Sequence, residues 1–127
     1  MLRIRVFVSM PFKNKSEEDI CKCLNYAGAY YRNQTEGLRD DDEIHMICNW
    51  YDKNNEPDYV KDPNVSKRIM DLSKALEKMA TCDEFILITN PDGSIPFECN
   101  LEMSVWVNDS SVRGLKTPII INGGLIK

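Results

Sequence analysis

The stretch from Thr81 to Val107, TCDEFILITNPDGSIPFECNLEMSVWV, decides the fold. Asp83 precedes a short apolar run, Phe85 to Ile88; the turn-rich NPDGS follows, and a helical pattern then carries Glu98 and Glu102. Strand, loop and helix in that order make one half of a parallel βαβ unit. In an open parallel sheet the carboxyl end of a strand and the start of the next helix border the ligand crevice. Glu102 is therefore the first candidate site residue.

Working outward, the same alternation repeats. Ile4 to Val8 is a compact β-branched and aromatic run stopped by Ser9-Met10-Pro11, so it predicts a buried first strand that ends near the site. Ser16 followed by Glu17, Glu18 and Asp19 is an N-cap with acids in the first turn. Ile20, Leu24, Ala27 and Tyr31 then repeat at helical spacing, and the pattern fades at Asn33 to Gly37. The charge run RDDDE, 39 to 43, predicts a solvated connection, His45 opens a second strand, and Met46 to Trp50 forms it.

A polar loop leads to a second helix from Val65, capped by Asn64 or Ser66, with Ile69, Leu72, Leu76 and Met79 as its core face. The helix after the central strand is expected over about Pro96 to Asn108, with Leu101 and Val105 inward and Glu98, Glu102 and Trp106 on another face. TPIII, Thr117 to Ile121, is a last strand. Strands alternating with helices predict an α/β three-layer domain on a four- or five-stranded parallel sheet.

Composition bounds the function. The 127 residues suit one domain with its own core, and 43% hydrophobic with 28% charged residues is ordinary for a soluble globular protein. A net charge of −4 argues against a nucleic-acid partner, because phosphate backbones select basic surfaces. The start, MLRIRVFVSMPF, has neither a long apolar stretch nor a cleavage site, so no membrane anchor is expected. Five cysteines without framework spacing read as reduced thiols in the cytoplasm. His45 is the only histidine and the calcium-loop pattern is absent, so no metal site is expected.

The opening RVFVSMPFKNKSEEDI, the helix leading to KALEKMATCDEFILI, and ECNLE followed by a helix and TPIII resemble the nucleoside 2-deoxyribosyltransferase-like superfamily. The likeness covers nearly the whole chain, and is nearest to small members common in phages and mobile elements. It implies a flavodoxin-like sheet, a nucleoside or nucleotide ligand, no cofactor, and homodimers in which one subunit helps to wall the other's pocket. It also implies that Glu102 is the nucleophile at C1′ of a deoxyribose. The chain departs from the pattern at Phe7, where catalytic members have tyrosine, at Met10 and Asn14, where they have glycine, and at Phe97-Glu98, where they have a serine- and glycine-rich turn. Ala75 stands where they have aspartate, and Asp71, one turn earlier on the same face, is the candidate substitute.

Glycosidic cleavage needs a carboxylate on one face of the sugar and a proton donor or stacked pocket for the base. Glu102 and Asp71 are the catalytic candidates. Phe7, Ser9, Met10, Pro11 and Lys13 from the first strand and its loop, Trp50 after the second, and Asn90, Glu98 and Asn100 around the third helix form the candidate substrate-binding set. Ser9 sits where a sugar hydroxyl or phosphate is held, Lys13 is either a phosphate contact or a solvated lysine, and Trp50 is either a wall for the base or a core cap. Glu98 is either a helix-surface acid favoured by the dipole or a like charge that raises the pKa of Glu102. Cys99 is expected to pack, having no basic sequence neighbour. A pocket that has lost its catalytic set and only binds nucleotide-derived ligands is the alternative function. Trp106 and Met103, with the apolar residues around them, are the expected subunit interface.

Overall fold

A computed structural model describes residues 1–12, 15–49 and 62–126. Its elements alternate: β1 (Arg3–Ser9), α1 (Glu17–Gln34), β2 (Glu43–Cys48), α2 (Lys67–Met79), β3 (Glu84–Ile88), α3 (Phe97–Arg113) and β4 (Ile119–Ile121), followed by a 3-10 turn at Gly123–Leu125. The four strands form one wholly parallel sheet in the order β2-β1-β3-β4. Phe7 lies opposite Ile47 on one side and Phe85 on the other, which makes β1 and β3 the two central strands. Every residue of β3 is buried, as expected for a strand covered on both faces.

Period-two alternation sorts the core into two layers. Val6, Val8, Ile86 and Ile88 pack beneath Ile20, Cys23, Ala27 and Tyr31 of α1. Phe7, Phe85 and Leu87 face the opposite way, against Ala75 and Met79 of α2 and Cys99 and Trp106 of α3. Fully burying each large side chain stabilises the fold by about 1.5–3 kcal/mol, which offsets the conformational entropy lost on folding. The result is a three-layer, flavodoxin-like α/β fold. The crossover leaving β1 and the crossover entering β3 run on opposite faces, so a crevice opens between the carboxyl ends of these strands.

Several sequence expectations need correction. Ser66 is the α2 cap, its hydroxyl accepting from Ile69 N at 3.3 Å, and the helix begins at Lys67 rather than Val65. Ile69 is 66% exposed, and Ala75 takes its place in the core beside Met79, which is buried as expected. On α3 the inward face is Cys99, Glu102, Trp106 and Ser110, not Leu101 and Val105. The Trp106 ring lies 5.7 Å from that of Phe85, and this large aromatic contact sets the helix rotation. Trp106 is thus 1% exposed in the single chain, which removes it as an interface residue.

The segment VNDSS continues the helix to Arg113, where Gly114 in the left-handed region (φ 72°) ends it. β2 starts earlier than expected, at Glu43, with His45 inside it, while β4 is shorter than the run TPIII. Asp42 is not part of a solvated run. It is buried, and its carboxylate accepts from Leu2 N at 2.9 Å and Arg39 N at 2.8 Å. Among the described residues no helix is long and apolar enough to cross a membrane, and no disulfide links the five cysteines.

Candidate active site

β1 delivers Ser9 to the carboxyl edge of the sheet with its side chain on the Phe7 side, which is the side of α3. There the Ser9 hydroxyl, 0% exposed, donates to Glu102 Oε1 at 2.6 Å. Asn49, immediately after β2, completes the arrangement. Its Nδ2 donates to Met10 O at 3.2 Å and to Glu102 Oε1 at 3.1 Å, while its Oδ1 accepts from Met10 N at 3.4 Å. One amide side chain therefore clamps the loop after β1 and orients the carboxylate together.

Glu102 is 3% exposed and lines a cavity of about 520 Å³, within the usual range for small-molecule sites. Both of its hydrogen bonds fall on Oε1; among the described residues none falls on Oε2. Burial raises its pKa above the ordinary glutamate value. The Ser9 and Asn49 hydrogen bonds oppose that rise, the charge of Glu98 adds to it, and Lys78 opposes it. The group is a buried carboxylate with one oxygen held and one available, suited to meeting an electrophilic carbon or accepting from ligand hydroxyls.

Of the other predicted residues, Met10, Pro11, Asp71 and Glu98 also line this cavity. Asp71 is ion-paired to Lys67 at 2.7 Å, and Glu98 to Arg68 at 3.2 Å. Arg68 also lies over the Phe97 ring, 4.3 Å from its centre, so it bridges α2 and α3 at the cavity rim. Phe7 is a correction: it is fully buried beneath the site and stacks near Phe85 at 5.5 Å, because its neighbours on both strands seal it in. Asn100 is exposed, two positions and about 200° around the helix from Glu102, facing away from the cavity. Asn90 is tied into its own turn by a 3.1 Å bond to Ser94 Oγ and does not line the cavity. Lys13 and Trp50 lie outside the described residues.

The sequence reading missed Asn49, Lys67 and Arg68. A polar residue directly after a buried strand is the signal that marks Asn49; the two cations carry none, since basic residues opening a helix are common on surfaces. Cys99 also lines the cavity, and burial pushes its thiol up to about 12, so it is a packing residue and not a nucleophile. Among the described residues no group of three or more His, Cys, Asp or Glu side chains is placed to hold a metal ion. Comparison with protein-family models, with curated proteins and with solved structures finds no significant match to this chain.

Proposed function

We propose that the chain is a cytoplasmic, nucleoside- or nucleotide-directed N-glycosidase or 2-deoxyribosyl transferase of the nucleoside 2-deoxyribosyltransferase-like superfamily, with Glu102 as its nucleophile. The observation that carries this reading is the buried Glu102 carboxylate, held at Oε1 by Ser9 and Asn49 inside the switch-point cavity. In the first step Oε2 bonds to C1′, the C1′–N bond breaks, and its electron pair leaves with the base, which takes up a proton. In the second, water or another base attacks C1′ and the ester bond to Glu102 breaks, restoring the carboxylate. The ionised form required for attack is favoured by the two hydrogen bonds on Oε1, and fixed donors of this kind need no reorganisation as the reaction proceeds.

Asp71, on the α2 side of the cavity, is the candidate proton source for the departing base. Its carboxylate is already engaged by Lys67 at 2.7 Å, which ties it to its own helix and away from a departing base. That observation favours a second reading, a binding or sequestering protein for nucleotide-derived ligands. Chromatographic detection of free base from a panel of deoxynucleosides and their 5′-monophosphates separates the two. Release by the wild type that disappears in Glu102→Ala supports catalysis. Saturable ligand binding with negligible release by both proteins supports the binding module, and neither release nor binding removes both readings.

The resemblance also supports a homodimer, now through a different face of α3. Phe97, Val105 and Val112 are exposed and share a narrow stripe with the half-buried Leu101. Light scattering tests it: a dimer lost in Val105→Glu is expected, and a monomeric wild type at micromolar concentration removes the proposal.

A further inference from the structure

At the opposite end of the sheet from Glu102, a second cavity of about 490 Å³ opens between the last turn of α1 and the starts of β3 and β4. It shares no lining residue with the first. Its inner wall is Glu84, the first residue of the central strand and only 6% exposed. A carboxylate buried at the head of an otherwise apolar strand is costly unless paired. Two groups pair it, and both reach the same oxygen: the Tyr31 hydroxyl donates to Glu84 Oε1 at 3.3 Å, and Lys116 Nζ lies 3.4 Å from it. Among the described residues no hydrogen bond falls on Oε2.

These two contacts differ in kind. Tyr31 is 2% exposed and belongs to the core, whereas the Lys116 side chain is 71% exposed and reaches Glu84 from solvent. The rest of the wall is suited to positive charge. Glu36 lines it, and so do Gln34 and Thr35 at the carboxyl end of α1, where the helix dipole is negative. Lys116 is the only cation among the described lining residues. It thus occupies, with a flexible tether and at a long distance, the place where an ammonium group is best stabilised.

We propose that this cavity binds a small organic cation, a primary amine or guanidinium compound, whose head group displaces Lys116 from Glu84. A planar guanidinium would engage both carboxylate oxygens, including Oε2, in the bidentate geometry that Lys116 does not reach. Ile119 offers an apolar wall to the methylene chain behind the head group, and the side chains of Gln34, Thr35 and Thr117 offer polar partners at the mouth. The inference stands independently of the chemistry at Glu102.

Titration calorimetry of the full chain with agmatine, and with its neutral analogue N-butylurea, tests the assignment. Saturable 1:1 binding of agmatine, with none by N-butylurea, is expected. Lys116→Ala, which removes the internal competitor from an exposed position, should tighten agmatine binding severalfold. Glu84→Gln should weaken it about tenfold or more, as loss of a charge-assisted pair does. Absence of agmatine binding to both the wild type and Lys116→Ala overturns the proposal, as does equal binding of N-butylurea. If Glu84→Gln does not fold, Lys116→Ala decides alone: unchanged or weaker affinity leaves Glu84 and Lys116 as a purely structural pair.

Discussion

Ser9, the last residue of β1, and Glu102, in the second turn of α3, are 93 positions apart in the chain and joined by a 2.6 Å hydrogen bond. The bond links a strand end to a helix that belongs to the next crossover but one. Because the hydroxyl donates to the carboxylate, it stabilises the ionised acid. It thereby opposes the burial that pushes the pKa of Glu102 up.

Ser9→Ala should therefore raise the pKa of Glu102 further. Carbon-detected NMR of glutamate-labelled protein reads this directly, as a midpoint displaced to higher pH. If the protein releases base, the acidic limb of the rate profile moves the same way. A midpoint that stays in place or falls would show that the hydroxyl does not control the charge of Glu102.

Glu102→Gln tests the cost of the buried charge. Burial raises the folded-state pKa above the ordinary glutamate value, so the native state binds the extra proton more tightly than the unfolded chain. The stability contributed by this group is full below the unfolded pKa and is lost as pH rises through the folded one. Thermal melts from pH 4 to pH 8 should show the melting temperature of Glu102→Gln gaining on that of the wild type as pH rises above the unfolded value. A gap that closes with rising pH contradicts the burial argument.

Trp106→Ala should cost about 3–5 kcal/mol, the usual loss for truncating a fully buried aromatic residue. Val105→Ala, one position earlier and 41% exposed, should change stability by less than about 1 kcal/mol. Urea denaturation of the two variants checks the helix rotation. Equal losses would mean that the inward face of α3 is not the one carrying Trp106.

Gly123→Ala tests the packing of the last turn against the loop after β3. A Cβ at Gly123 would stand well inside van der Waals contact with the carbonyl oxygen of Thr89, a backbone atom with little room to yield. Thr89 is also tied there, its N–H donating to Ile121 O at 2.9 Å and its hydroxyl accepting from Gly123 N at 3.2 Å. A loss of about 1–3 kcal/mol is expected, as for other forced overpacking. An unchanged urea midpoint would refute the close approach.

What the sequence by itself determined is the alternation of strands and helices and the side of the sheet on which a site belongs. Apolar runs at 4–8 and 85–88, the Ser16 cap with its acids, and the helical spacing of Ile20, Ala27 and Tyr31 are local signals, and local periodicity survives folding. The placement of Glu102 beside Ser9 followed from the same logic, since parallel strands bring their carboxyl ends together. Tertiary structure alone decided which face of α3 turns inward, because Val105 and Trp106 are both apolar and the spacing permits either; the ring of Phe85 makes the choice. It also decided that Asn49 joins Glu102, that Phe7 and Asn100 do not line the cavity, and that Asp42 and Glu84 are buried. Those outcomes depend on partners distant in the chain, 40 positions for Leu2 and Asp42 and 53 for both Asn49 with Glu102 and Tyr31 with Glu84, or on the rotation of whole elements, and a buried acid has the same sequence signature as a solvated one until its donors are brought to it.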